Sequence, residues 1–253
     1  MIPNPIQKVL STMAAHQVQA LLMGGQACVF YGAAEFSRDT DYVLLAEPEN
    51  LRRLDAALAE LQATCIAVPP FHLEYLQRGH AVHFRCQHPD VAGIRIDVMS
   101  VLRGVAPFLE LWKRRTTVED PHGERYELLA LPDLVQAKKT QRAKDWPMLR
   151  RLVEAHYLQH RAAPQSGHAA FWLRELRTPE FLVEATARWM ELARELQGSR
   201  PLLESALAKA RRELELALAE EEQAERDRDR VYWQPLKTEL EALRRRAVKA
   251  RPI

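Results

Sequence analysis

Cysteine is scarce in this chain, and the three that occur, Cys28, Cys65 and Cys86, are scattered without C-x-x-C spacing. An odd and dispersed set of cysteines argues against a disulfide framework and against a cysteine-based zinc site. This cysteine usage fits a reducing compartment, and we therefore expect a cytoplasmic protein.

Long apolar runs are also missing, and the N-terminus has no basic segment followed by an apolar core. We therefore expect no membrane-spanning helix, no signal peptide and no membrane partner. An excess of one charge is absent too, because 36 Lys and Arg residues face 34 Asp and Glu residues, for a net charge of +2. A nucleic-acid partner would have to bind a local basic patch.

The chain does have the length and composition of an ordinary soluble globular protein: 253 residues, 47% of them hydrophobic and 28% charged. Short apolar runs alternate with amphipathic stretches in the first half. The runs at 81–86 and 94–99 are typical of a β-hairpin, as are those at 115–118 and 125–129. We predict an α/β (α+β) fold, with a mixed sheet and helices in the first half.

Every segment after Pro132 has helical spacing. We predict a first domain over residues 1–160, a boundary loop near 162–167, and a helical bundle or helical hairpin over 165–253. Single helices are expected over 134–142 and 181–196. The helical segment after Pro132 is expected to pack against the sheet domain through four apolar residues at three-and-four spacing, namely Leu134, Leu149, Leu152 and Val153.

A long helix is predicted over residues 201–231, with Pro235 interrupting it before a last helix. Its apolar residues recur at alternating intervals of four and three, which is heptad spacing. These residues are Leu203, Leu207, Ala210, Leu214 and Ala217. A solvated helix or helical hairpin is the default interpretation, and self-association or partner binding through this seam is the alternative.

The most informative stretch joins a glycine pair to a pair of acids. Gly24-Gly25 ends a short apolar run, and Ser37-Arg38-Asp39-Thr40-Asp41 leads into the next one. Asp39 and Asp41 point the same way on an extended segment, because strand side chains alternate. Two carboxylates are a good start on a Mg²⁺ site, and a glycine turn that opens a helix offers backbone N–H groups to a phosphate.

These motifs resemble the nucleotidyltransferase superfamily, in which a Gly-Gly or Gly-Ser turn precedes a D-x-D pair and a later strand supplies a third carboxylate. Asp97, the only acid in the run 94–99, matches the third position. The likeness covers roughly the first 155 residues and is greatest to the AbiEii-like branch, whose members often occur in toxin–antitoxin pairs.

The resemblance implies transfer of a nucleoside monophosphate from an NTP to a hydroxyl of a small molecule, a protein or RNA. Asp39, Asp41 and Asp97 would be the catalytic and metal-binding residues, with Mg²⁺ or Mn²⁺ as the cation. Asp97 would complete a second metal site or act as general base. The nucleotide would be bound by Gly24, Gly25, Ser37, Arg38, Lys138 and Lys139.

The two lysines follow from a Leu-x-x-x-Lys register and a Lys-Asp step that are similar to the family's, here Leu134, Lys138 and Lys144-Asp145. Whether Lys138 or Lys139 is the family lysine stays open, and the register favours Lys138. A lysine point charge suits a triphosphate, whereas a solvated helix face is the alternative interpretation.

Each motif also has a structural interpretation. Asp39 and Asp41 can be turn acids, Gly24-Gly25 a tight turn only, and Asp97 a partner of Arg95. Arg38 can pair with its acidic neighbours or contact a phosphate. Four histidines are expected to be surface or packing groups, namely His72, His80, His83 and His88.

Two further function classes stay open. One is a catalytically inactive module that keeps the fold for nucleotide binding or for interaction with a partner, such as an antitoxin-like protein. The other is an RNA-directed transferase, in which a basic cluster would bind acceptor phosphates. That cluster comprises Arg142, Lys144, Arg150 and Arg151.

Overall fold

A computed structural model describes residues 5–120 and 123–249. Asn4, which the sequence predicts as the N-cap of a helix with Pro5 in its first turn, lies outside the described residues. Within these ranges the strands are β1 (Ala20–Met23), β2 (Asp39–Leu44), β3 (Thr64–Cys65), β4 (Val82–Arg85), β5 (Arg95–Met99), β6 (Thr116–Glu119) and β7 (Arg125–Leu128). The helices are α1 (Pro5–Ala15), α2 (Gly24–Phe30), α3 (Pro48–Glu60), α4 (Leu73–Gln77), α5 (Phe108–Lys113), α6 (Leu131–Ala137), α7 (Asp145–His160), α8 (His168–Glu175), α9 (Pro179–Arg188), α10 (Met190–Leu196), α11 (Leu203–Leu207) and α12 (Arg211–Lys249).

The described strands form one mixed sheet in the order β3-β4-β5-β2-β1-β7-β6. β2 pairs with β5, and β1 with β7, in parallel, and the other neighbours are antiparallel. The prediction of a mixed sheet followed by a helical C-terminal region is confirmed. Both predicted hairpins form, as β4–β5 and β6–β7, and no strand follows Leu128 within the described residues.

The described chain forms two compact units. The first contains residues up to Phe30, Ala34–Ala137 and the chain from Tyr232, and the second contains Tyr31–Ala33 and Lys138–Val231. These limits differ from the predicted division at 162–167, which stays a prediction. No helix in the described part of the chain has both the length and the apolarity needed to cross a bilayer.

In the first unit a buried amide fixes the start of β1 against the end of β2. The side chain of Asn50, in α3, is 3% exposed; it donates to the carbonyls of Gln19 and Leu45 and accepts from the Gln19 N–H. A buried amide without hydrogen-bond partners destabilises the folded state, so these three bonds favour one register between the strands.

The C-terminal part of α12 also belongs to the first unit. Glu239 lies 2.8 Å from Nε2 of the buried His80 and forms an ion pair with Arg78. Pro235 lies inside α12 and does not interrupt it, so that prediction is wrong. A proline removes one backbone donor, and here good helix-forming residues continue on both sides of it, including Lys237, Glu239 and Leu240.

Three predicted helices are wrong in their extent. The helix expected over 181–196 is divided into α9 and α10 at Trp189, which has φ −120°. The helix expected over 201–231 is divided into α11 and α12, and Lys209 between them has φ +54°. Ala210 therefore lies outside both helices, and the heptad seam is not continuous. The helix expected over 134–142 ends at Ala137.

The apolar residues Leu149, Leu152 and Val153 are buried within the second unit, and Leu134 is buried in the first. Their packing against the sheet stays a prediction.

Three histidines of the second unit pack together. The ring centroid of His156 lies 4.6 Å from that of His160 and 4.6 Å from that of His168, and Trp172 donates its indole N–H to Nδ1 of His156 at 2.9 Å. Burial lowers the pKa of His156 from 6.5 to about 4, and the two neighbouring imidazoles add to the effect. The folded protein therefore favours neutral His156.

We expect the stability of the protein to fall as the pH drops from 6.5 toward 4, because unfolded His156 takes up a proton that folded His156 resists. The contribution is fully present above 6.5 and amounts to at most about 3 kcal/mol. In calorimetry, the His156→Gln variant should lose less of its melting temperature between pH 7.5 and 5 than the wild type. The exposed His72→Gln variant is the control, and equal slopes in all three proteins would contradict the expectation.

Candidate functional site

The parallel pairing of β2 with β5 brings the predicted acids to one face of the sheet. In this register Asp41 is opposite Asp97, and Asp39 is opposite Arg95. Side chains at paired positions leave a sheet on the same side, so the three carboxylates share a face. The alternate residues of β2 are buried, and Thr40 donates its hydroxyl to the carbonyl of Arg95 at 3.1 Å.

The glycine pair packs directly against this face. Met23 is the register partner of Asp41, and Gly24 follows it with φ +66°. A Cβ on Gly24 would collide with Oδ2 of Asp41, and a Cβ on Gly25 would lie 2.5 Å from Oγ of Ser37. Only glycine therefore allows the backbone to approach the carboxylate so closely.

One hydrogen bond joins the segment before β2 to α2, and a second joins that segment to the start of β2. The buried Gln26 donates its side-chain N–H to the carbonyl of Ser37 at 2.9 Å, and Ser37 donates its hydroxyl to the carbonyl of Asp39 at 3.1 Å. Sequence reasoning gave Gln26 no role. Its signal was a polar residue in the first turn of a short helix of otherwise apolar character.

Asp97 is held by two basic side chains. Nη2 of Arg95 lies 3.1 Å and 2.9 Å from its two oxygens, and Nδ1 of His83 lies 2.9 Å from Oδ1. The expected alternative, that Arg95 pairs with Asp97, is therefore present in the structure. His83, expected to be a surface or packing group, is instead the register partner of Asp97 on β4.

Arg38 forms no ion pair with a described carboxylate, although two acids follow it closely. Its guanidinium carbon lies 5.9 Å from the ring centroid of Phe36, which is 70% exposed. Arg38 was expected either to pair with its acidic neighbours or to contact a phosphate, and the structure does not have the first arrangement.

The two predicted lysines follow α6 and lie in the second unit. Nζ of Lys138 is 3.8 Å from Oδ1 of Asp145, and Nζ of Lys139 is 2.8 Å from Oε1 of Glu175. Both lysines are largely buried and both have carboxylate partners. Because neither is helical, helix periodicity does not choose between them, and their role in nucleotide binding stays a prediction.

The donors of this face suit a hard cation, but they do not form a closed cage. Among residues 5–120 and 123–249 no three His, Cys, Asp or Glu side chains are arranged to hold a metal ion. Mg²⁺ is usually bound by one or two carboxylates together with water and substrate phosphates. Asp39 and Asp41 fit that pattern, whereas Asp97 is already in contact with Arg95 and His83.

Burial also keeps the surroundings of the acids neutral. It raises the pKa of the Tyr42 phenol, and the charges of Tyr126 and Asp41 add to this effect. Tyr42 therefore stays protonated beneath the carboxylates at physiological pH. Burial likewise raises the pKa of the Cys86 thiol to about 11, so this cysteine adds no negative charge.

No protein-family model and no curated protein matches the chain. One solved structure to which it is similar is described as a "putative nucleotidyltransferase from H. pylori"; the two share 17% identity over 90% of this chain and 94% of that chain, with a TM-score of 0.39. Likeness at this level leaves the function to be argued from the residues of this chain.

We expect Gly24→Ala to destabilise the protein by about 2–5 kcal/mol, because the methyl group meets Asp41 and the residue has φ +66°. Gly32→Ala is the matched control: its φ is +71°, but a Cβ there meets nothing within 4 Å. Its cost should be about 1–2 kcal/mol. Urea unfolding measures both, and equal losses would show that the approach of Gly24 to Asp41 is unimportant.

Proposed function

We propose that this protein is a nucleotidyltransferase that moves a nucleoside monophosphate from an NTP to an acceptor hydroxyl. The observation that carries the proposal is the pairing of Asp41 with Asp97 on adjacent parallel strands, with Gly24 packed against Asp41. The order of glycine turn, D-x-D and later strand Asp supports it, because that order resembles the nucleotidyltransferase superfamily.

Asp39 and Asp41 would hold a divalent cation, Mg²⁺ or Mn²⁺. When bound, the cation neutralises charge on the triphosphate. Because Gly24 and Gly25 have no Cβ to meet Asp41 and Ser37, the glycine turn packs close to the acids and would bring its backbone N–H groups near the phosphates. Arg38 and Ser37 precede the acids on the same loop, and Arg38 has no described carboxylate to release before it binds a phosphate.

Asp97 receives a different task in this proposal. Arg95 already compensates its charge, and the contacts with Arg95 and His83 fix where its oxygens lie. It therefore needs no metal for stability, and we assign it the acceptor hydroxyl, whose proton it accepts as the new phosphate ester bond forms. Arg95 and His83 position this carboxylate.

The proposal extends to the acceptor of the nucleotide and to the partners of the protein. An RNA acceptor is supported by the basic cluster of the second unit, where Lys144, Arg150 and Arg151 are exposed. Arg142 contributes less to such a patch, because its guanidinium donates to Asp145 at 2.7 Å. An antitoxin-like protein partner of the AbiEii type, or self-association through the C-terminal helices, is a further expectation of the resemblance.

The second candidate is a catalytically inactive nucleotide-binding or interaction module. The contacts of Asp97 with Arg95 and His83 favour this module, because a purely structural ion pair would have the same contacts. Titration of NTPs by calorimetry, with and without Mg²⁺, separates the two candidates when it is combined with an assay for pyrophosphate release. Binding without release in every acceptor mixture would identify the module.

We expect Asp41→Asn to lower Mg²⁺-dependent nucleotide transfer by at least about 100-fold, because it removes a metal-binding charge. The melting temperature should stay equal or rise, since the change relieves repulsion between neighbouring carboxylates. Pyrophosphate release measures the first effect and calorimetry the second. Asp55→Asn, at an exposed position of α3, is the control and should keep wild-type activity. Full activity of the Asp41 variant would remove this carboxylate from the mechanism.

A further inference from the structure

The second unit contains a cleft with a volume of about 290 Å³, and of the residues that line it only Arg150 also belongs to the proposed acceptor cluster. Arg150 of α7, Arg177 of the segment before α9, and residues of α12 line it. That volume is at the lower end of the range for small-molecule sites, so a ligand of few atoms would fill it.

Arg177 is buried there without matching acceptors. Its side chain is 5% exposed, and its Nε and Nη1 atoms have no hydrogen-bond partner. Oε2 of Glu221 lies 2.9 Å from Nη1, but not in a geometry that makes a hydrogen bond. Both oxygens of Glu221 already accept from Arg200, whose Nε and Nη2 donate at 2.9 Å.

Arg177 and Arg200 therefore share the single carboxylate within ion-pair distance, that of Glu221. Burial lowers the pKa of Arg177, and the charges of Glu221, Glu175 and Glu222 oppose that shift. The ring of Trp146, with its centroid 4.8 Å from the guanidinium carbon, compensates only part of a desolvated charge. A buried charge without a full partner is costly, so an entering anion would lower the free energy of the folded state.

Arg150 adds a second cation at the cleft. It is exposed, and no described carboxylate forms an ion pair with it. Glu215 and Glu222 also line the cleft, and each lies within 3.5 Å of an arginine of α12. These two carboxylates disfavour a multiply charged ligand, so the site suits a single negative charge.

The rest of the lining is apolar, formed by Pro179, Leu218 and Ala219. A ligand with an apolar body would bury surface against them, whereas a bare inorganic anion would not. We propose that this cleft binds a small monocarboxylate with an apolar group, whose carboxylate is held by Arg177 and Arg150.

The first test separates a binding role of Arg177 from a structural one. Arg177→Met leaves Glu221 fully bonded to Arg200, so the proposal expects a melting temperature equal to or higher than that of the wild type. Arg200→Met is the matched control, because Arg200 also donates to the carbonyls of Leu173 and Leu176. It should melt several degrees lower. A comparable loss in the Arg177 variant would make Arg177 structural and overturn the proposal.

The second test uses benzoate, benzamide and inorganic phosphate as probes with the full-length protein. Ligand-observed NMR and calorimetry should detect millimolar binding of benzoate, and benzoate should raise the melting temperature of the wild type. Benzamide lacks the charge and phosphate lacks the apolar body, so both should bind at least several-fold more weakly. Arg177→Met should lose benzoate binding, and Arg150→Ala should weaken it.

Three results would overturn the proposal: no benzoate binding to the wild type, unchanged binding to the folded Arg177→Met variant, or phosphate binding that matches or exceeds benzoate. The test does not depend on nucleotide transfer, because neither the readout nor the variants involve Asp39, Asp41 or Asp97.

Discussion

The parallel pairing of β2 with β5 is the constraint on which the candidate site depends. It aligns Asp41 with Asp97 and Asp39 with Arg95, and a slip of one residue would turn every carboxylate toward the buried face. The buried alternate residues and the Thr40 hydroxyl bond to the Arg95 carbonyl oppose such a slip. A single register therefore decides both the core of the sheet and the chemistry above it.

This register places the negative charges of Asp41 and Asp97 side by side, and neighbouring residues reduce the repulsion between them. Arg95 and His83 contact Asp97, while Asp41 lies against the backbone of Gly24. The close approach needs a residue without a Cβ, so the glycine requirement follows from the acid rather than from the turn alone. The same arrangement concentrates negative charge on one face of the sheet, where a divalent cation would be attracted and would in turn bind a triphosphate.

Much of this could be predicted from the sequence, because it is written in short-range patterns. Alternation on either side of Asp39 and Asp41 predicts the strand, and turn residues between apolar runs predict both hairpins. The contact of His83 with Asp97 could not be predicted in this way, because it requires the hairpin register as well as its existence. The sequence does not predict the breaks at Trp189 and Lys209, because the helical spacing of apolar residues is continuous across them. It predicts an interruption at Pro235, where α12 in fact continues.

The two units solve the problem of buried charge differently. At Asp97 two basic side chains meet one carboxylate, and both oxygens of that carboxylate are in contact with them. At Glu221 two arginines also meet one carboxylate, but the fork of Arg200 takes both oxygens and leaves N–H groups of Arg177 without acceptors. A carboxylate has two oxygens, and a bidentate contact with one guanidinium uses both of them. The second arginine of such a cluster therefore keeps N–H groups that can donate to a ligand. Arg177 lines a cleft and has donors without acceptors, whereas a closed structural ion pair uses all of its donors.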